Sequence, residues 1–249
     1  MTLLETREVS VRFGGHLAVD EVSMAVEPGG ITGLIGPNGA GKTTIFNVIS
    51  GLQTSTAGKV FYDGKDITKA KTHQRARLGI ARTFQRLEVF GSLSVRDNLV
   101  VAAEISNRGR GRGARSQRIA DELVERVGLG DVAGVRAEEL PTGTARLVEL
   151  GRALASHPRL LLLDEPASGL DEGETEGFAT LLQRLSSEGL GILLVEHDVP
   201  LVMRLCATVY VLNLGRLLAR GTPAEVQGNQ EVLDAYLGQG ASVGEVGAS

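Results

Sequence analysis

Gly36-Pro37-Asn38-Gly39-Ala40-Gly41-Lys42-Thr43 is the stretch on which the fold turns. It satisfies G-x-x-x-x-G-K-[ST], follows the apolar run Ile31 to Ile35 and precedes the helix candidate Thr44 to Ser50. A strand, a glycine-rich loop and a helix in that order separate a phosphate loop from a chance match. Glycines 36, 39 and 41 let backbone amides close around a phosphate, and the helix start adds a partial positive charge. Lys42 then neutralises β/γ oxygens and Thr43 offers its hydroxyl to magnesium. Pro37, Asn38, Ala40 and Thr44 complete the phosphate-binding candidates of a nucleoside triphosphate site.

Hydrolysis also needs a carboxylate for the metal and a base for the water. Leu160 to Leu163 read as a fully buried strand, and Asp164-Glu165 follow directly. Ligands of parallel sheets collect at the carboxyl ends of strands, so Asp164 is placed to hold magnesium through water and Glu165 to polarise an attacking water. An isolated Asp-Glu pair would read as a solvated turn; the loop upstream makes it a site. His197 follows a second apolar strand, Ile192 to Val195. By position alone it reads equally as a surface residue or a site residue.

Outward from these motifs, residues 1–63 alternate apolar and polar at period two, with Val9, Val11 and Phe13, then Val22, Met24 and Val26, then Val60 and Phe61. Turn signals at Gly14-Gly15, Pro28-Gly29-Gly30 and Asp63-Gly64 separate the runs, so this part is strand-rich. Val95 to Val127 carries helical spacing, and from residue 145 helices alternate with short apolar strands, the signature of a parallel sheet. The expected fold is α/β, with an antiparallel β portion, a parallel nucleotide-binding core and a helical insertion.

The chain of 249 residues carries a formal charge of -4 and one cysteine, Cys206, which excludes an internal disulfide and a zinc cluster. No apolar run approaches the roughly 20 residues of a membrane span, and the start lacks the pattern of a signal peptide. Six Lys or Arg and no acid lie between Thr68 and Leu87 (Lys69, Lys71, Arg75, Arg77, Arg82, Arg86), and five Arg between 108 and 118. A mildly acidic whole argues against a nucleic-acid partner, so both runs read as solvated surface. The second, broken by glycine, reads as a mobile loop.

With these residues in place the chain resembles the ATPase subunits of ATP-binding cassette transporters over about residues 3 to 237. Phe13 resembles the adenine-stacking aromatic, Gly36 to Thr43 the Walker A loop, and Gln85 in ARTFQ the Q-loop glutamine. Leu140-Pro141-Thr142-Gly143-Thr144 occupy the signature position, Asp164 and Glu165 the Walker B pair, Ser168-Gly169-Leu170-Asp171 the D-loop, and His197 the switch histidine. The resemblance implies a core with its β portion (1–86 and 156–237), a helical subdomain bearing the signature (87–155) and a flexible tail (238–249). It implies ATP and Mg2+ as ligands, with Thr43, Gln85 and Asp164 at the metal, Glu165 as base and His197 on the γ-phosphate. A head-to-tail dimer with a second ATPase subunit would bring each signature to the partner's ATP. Integral-membrane permease subunits would dock between core and helical subdomain, an extracytoplasmic solute-binding protein would act at one remove, and the chain would sit on the cytoplasmic face of the membrane.

The finer resemblance, carried by GLIGPNGAGKTTIFNVISGL, HQRARLGIARTFQ and the end VEHDVPLVMRLCATVYVLNLGRLLARGTPAEV followed by DAYLG, is to ATPases of branched-chain amino acid uptake. Lipopolysaccharide-export ATPases and soluble assembly-type cassettes, such as those of iron-sulfur assembly, are the alternatives. The signature departs from the usual LSGGQ: Pro141 offers neither hydroxyl nor N–H. Gly143 permits close backbone approach, and Thr142 or Thr144 is expected to cap a helix beginning near Ala145 and to replace the lost contact. Thr142→Val and Thr144→Val should therefore lower ATPase rate and ATP affinity in steady-state assays; unchanged values would remove the threonines from that role.

Overall fold

The computed structural model describes residues 2–85, 87–106 and 112–237. The amino-terminal strands β1 (Leu4–Phe13) and β2 (His16–Val26) pair antiparallel, and the chain then enters β3 (Ile31–Ile35), the phosphate loop and α1 (Lys42–Ser50). Next come β4 (Ala57–Tyr62), β5 (Lys65–Asp66), α2 (Thr72–Arg77) and β6 (Ile80–Arg82). The helical part holds α3 (Val95–Ser106), α4 (Arg112–Arg126) and α5 (Thr142–Leu154). The second half alternates β7 (Leu160–Asp164), α6 (Glu172–Ser187), β8 (Gly191–Val195), α7 (Val199–Leu205) and β9 (Thr208–Asn213). It ends with β10 (Arg216–Gly221), α8 (Pro223–Gln227) and α9 (Gln230–Leu237).

One sheet is antiparallel, ordered β2-β1-β4-β5; the other runs β10-β9-β3-β8-β7-β6 and is parallel except for β10. Period two sorts the side chains of the larger sheet between two cores. Ile35, Leu161, Leu163, Ile192 and Leu194 face the helices α5, α6 and α7. Leu34, Leu160, Leu162, Leu193 and Tyr210 face α1 and the antiparallel sheet. The Tyr210 hydroxyl accepts from the Ala25 N–H at 3.0 Å, tying the two sheets together.

Three readings change. Helix α1 begins at Lys42, not Thr44, because Gly41 at φ 102 supplies the left-handed turn into it. Phe61 lies outside the core: the pleat turns Val60 and Tyr62 inward, and Phe61 stacks under Arg7 instead. Residues 112–118 of the Arg/Gly run are helical, because Ser116, Ile119, Ala120, Leu123 and Val124 bury one face of α4; residues 107–111 lie outside the described part. So do Arg86 and the tail 238–249.

The basic run is not uniformly surface. Lys69, Lys71 and Arg77 are exposed, but Arg75 is 2% exposed. Its guanidinium donates to the carbonyls of Val48 (2.6 Å) and Ile49 (2.8 Å) at the end of α1, and to Ala70 (2.9 Å) and Thr68 (3.0 Å). A helix end leaves carbonyls without intrahelical donors, and a charged donor from α2 satisfies two of them here. Arg75→Met should lower unfolding free energy by about 3 kcal/mol, the cost of leaving buried carbonyls unmatched, measured by urea denaturation.

Candidate ATP-hydrolysing site

The phosphate loop is clamped rather than flexible. A Cβ at Gly36 would strike the Leu212 carbonyl, and one at Gly41 would come within 2.8 Å of the Ala18 carbonyl. Gly215 N–H donates to the Ala40 carbonyl at 3.1 Å, so the β9–β10 turn holds the loop from outside. No side chain caps α1. Its first-turn amides face the loop, an arrangement suited to a phosphate. Lys42 is buried and donates to the carbonyls of Gly36 (2.6 Å) and Pro37 (3.0 Å). Burial pulls its ammonium below the usual lysine range, while Glu165 and Asp164 oppose that shift.

Three strand ends deliver the remaining groups. Asp164 closes β7, with Glu165 immediately beyond; Gln85 follows β6 and His197 follows β8. Gln85 Nε2 donates to Glu165 Oε2 at 2.8 Å, and His197 Nε2 stands 2.6 Å from Glu165 Oε1. An ionised carboxylate only accepts, so the ring nitrogen donates. Glu165 itself sits at φ 50, a left-handed conformation held by its N–H to the Val195 carbonyl at 2.8 Å. Such a backbone is costly for a non-glycine residue and is kept where the surroundings over-determine it.

Thr43 is exposed at the start of α1, and Asp164 is buried on the α1 side of the sheet. The donors are hard oxygens, and no cluster of three or more His, Cys, Asp or Glu able to hold a metal occurs among the described residues. That set fits magnesium shared with phosphates, which takes one or two carboxylates from the protein, and does not fit an all-protein cage.

The signature begins α5 rather than preceding it. The helix starts at Thr142 with Pro141 as N-cap and no side-chain cap, so neither threonine caps a helix at Ala145. The proline's fixed φ (here −56) sets the chain up for a helix three residues earlier than expected. Gly143 is buried because the Glu174 carboxylate lies where its Cβ would be. Among the described residues no hydrogen bond joins 140–144 to the phosphate loop. In the D-loop, Asp171 caps α6 by accepting from Glu174 N–H at 2.8 Å, and Gly169 packs near Thr142. Ser168 N–H returns to the Glu165 carbonyl at 3.2 Å, and Leu170 N–H to that of Ala167 at 3.1 Å. Phe13 stands exposed at the tip of the β1–β2 hairpin.

Sequence reasoning missed the residues that hold these loops. Arg146 and Glu149, both buried on α5, grip the backbone before and at Gln85: Arg146 donates to the Phe84 (3.3 Å) and Gln85 (3.0 Å) carbonyls, and Phe84 N–H donates to Glu149 at 3.2 Å. Burial raises the Glu149 carboxyl above its ordinary range, against the opposing pull of the Phe84 N–H and Arg146. Glu196 accepts from Ala167 N–H at 2.7 Å and His197 N–H at 3.1 Å, joining the turns after β7 and β8. Its position directly after an apolar strand, matching that of Glu165 relative to Leu160–Asp164, was the available signal.

A clamped phosphate loop, a strand-end Asp-Glu pair and a helical insertion carrying a second glycine motif define an ATP-binding cassette. The chain belongs to the ABC transporter family, whose description matches residues 19–168. A second description, branched-chain amino acid ATP-binding cassette transporter, matches residues 216–242. The chain is 39% identical to the high-affinity branched-chain amino acid transport ATP-binding protein BraF of Pseudomonas aeruginosa, over 95% of this chain and 98% of that one. It is 35% identical to the lipopolysaccharide export system ATP-binding protein LptB of Escherichia coli, over 96% and 98%. A crystal structure of the ADP conformation of an ATP-binding cassette of an ABC transporter superposes with TM-score 0.86 at 30% identity, covering 96% of this chain and 99% of that one.

Glu196→Ala should free the Ala167 and His197 amides. Hydrogen exchange at those two positions should accelerate at least about tenfold while the β7 amides keep their protection, since one lost buried bond to a charged group is worth about 1.5–3 kcal/mol.

Proposed function

We propose that this chain is the ATP-hydrolysing subunit of a membrane importer for branched-chain amino acids or related small solutes. The observation that carries the chemistry is the convergence of Gln85 and His197 on one Glu165 carboxylate beside Asp164 and Lys42. In this reading the loop amides of residues 36–44 and Lys42 hold the phosphates, and Phe13 stacks on the adenine. Thr43, Asp164 and Gln85 attend the magnesium, which when bound offsets charge on the β/γ oxygens. Glu165 takes the proton of the attacking water, and His197 orients Glu165 and holds the γ-phosphate. Residues 140–144 and the D-loop, 168–171, serve the site of a second ATPase subunit. Among the described residues neither segment hydrogen-bonds to its own phosphate loop, which supports that division.

The partner surface in this reading is a groove of about 620 Å³ between core and helical part, lined by Phe84, Phe90, Ala102, Ile105, Glu88 and Arg152. Phe84, Phe90 and Ile105 are exposed large apolar side chains. No helix among the described residues is long and apolar enough to cross a membrane, so solute passage falls to separate permease subunits. The match at 216–242, together with BraF, favours uptake over export.

Glu165→Gln should slow ATP turnover by about 10² to 10⁴ fold, the usual worth of a general base, and unchanged turnover would remove Glu165 from that role. The same variant, tagged and recovered from native membranes with ATP and magnesium, should bring down two permease-like membrane proteins and a second cassette. Lipopolysaccharide-export components would favour the export reading, and soluble partners alone would overturn the transport reading.

A further inference from the structure

Asp164 meets a resident cation before any metal arrives. Arg82 ends β6, the edge strand, opposite Leu162 of β7. Period two therefore turns Ile80 and Arg82 toward the same face as Leu160, Leu162 and Asp164, the face covered by α1. There Arg82 Nη2 donates to Asp164 Oδ2 at 2.8 Å, and the two side chains are 9% and 6% exposed. Nη1 donates to Asn47 Oδ1 at 2.6 Å and Ser50 Oγ at 3.2 Å, both on α1. The guanidinium also lies 5.5 Å from the Phe46 ring centre and 5.2 Å from that of Phe84. A planar cation held on so many sides does not swing away when a second cation approaches.

We propose that Arg82 is the built-in counter-cation of Asp164 and weakens the site's hold on a bare divalent ion, so that magnesium is retained only in company with nucleotide phosphates. The inference rests on the reading of Asp164 as the metal carboxylate and adds to it a residue that tunes that carboxylate. Charge explains the direction: a carboxylate already neutralised by one buried cation attracts a second less, and the two cations repel at short range in a poorly screened interior. Geometry explains the reach, because the guanidinium is fixed by α1, the helix that also begins with Lys42 and Thr43. Arg82 is a positioning residue in this scheme and needs no contact with substrate.

The test uses Mn2+ as the probe, with affinity read by electron paramagnetic resonance on the full chain, alone and with ADP, and ADP binding measured separately in EDTA. Arg82→Gln removes the charge while keeping an amide for Asn47 and Ser50. Arg82→Met keeps packing on Phe46 and Phe84 and stands beside it should the glutamine variant fold poorly. Both should bind Mn2+ at least about tenfold more tightly than the parent chain, the order expected for deleting a nearby buried charge. Arg82→Lys should stay near the parent value, and in an Asp164→Asn background Arg82→Gln should change nothing. ADP binding in EDTA should be the same in the parent chain and in the three Arg82 variants. Equal or weaker Mn2+ binding with normal ADP binding overturns the proposal alone, as does an effect that persists without the Asp164 carboxylate. A parent chain that does not bind ADP overturns the nucleotide-site reading and this proposal with it.

Discussion

Backbone amides can hold a phosphate only if something stiffer than the loop fixes them, and in this chain that support is β3. The strand lies between β8 and β9, hydrogen-bonded to both, with all five residues buried. A Cβ at Gly33 would come within 2.7 Å of Val202 Cγ1 and 3.0 Å of Cys206 Sγ, so α7 is seated directly on the strand that leads into the loop. Cys206 is buried there, and burial pushes its thiol up to about 12. With the strand immobile, the loop closes against Leu212, Ala18 and Gly215, and its amides need little reorganisation to meet an anion.

Parallel pairing then gathers the chemistry. Strands that run the same way end at the same edge, so Asp164, Glu165, Gln85 and His197 come from three separate connections to one edge, where Gln85 and His197 both meet the Glu165 carboxylate. Burying charged groups at that edge would be costly without partners, and each buried one has them: Asp164 with Arg82, Arg146 with Glu149, and Glu196 with the amides of Ala167 and His197. Because α5 carries both residues and grips the Phe84 and Gln85 backbone, the Arg146 and Glu149 pair ties this helix to the glutamine on Glu165.

Much of this was legible in the residues. The phosphate loop announced itself by spacing and flanks, the buried strands by unbroken leucine and isoleucine, and the strand-end Asp-Glu pair by its position. The misreadings share a cause. Arg75 and Arg82 looked like surface charge because a basic run normally is, and only the close approach of α1 gives them carbonyls and a carboxylate to meet. The Arg/Gly run looked irregular by composition, yet five apolar or small residues spaced for one face of α4 are buried as it packs against α3 and outweigh the helix-breaking tendency. Proline at 141 looked like a defect in a motif and serves as the start of a helix.

The sequence by itself determined the class of fold, the anion-binding loop and the identity of the catalytic candidates, because each rests on short-range constraints: glycine at left-handed turns, period two in strands, and residue type at a strand end. Tertiary structure alone decided which charges are buried, who neutralises whom, and which helix holds which loop. Those facts depend on contacts between residues as far apart as Arg82 and Asp164, or Phe84 and Glu149, and no local pattern encodes the distance between two elements until the sheet has been assembled.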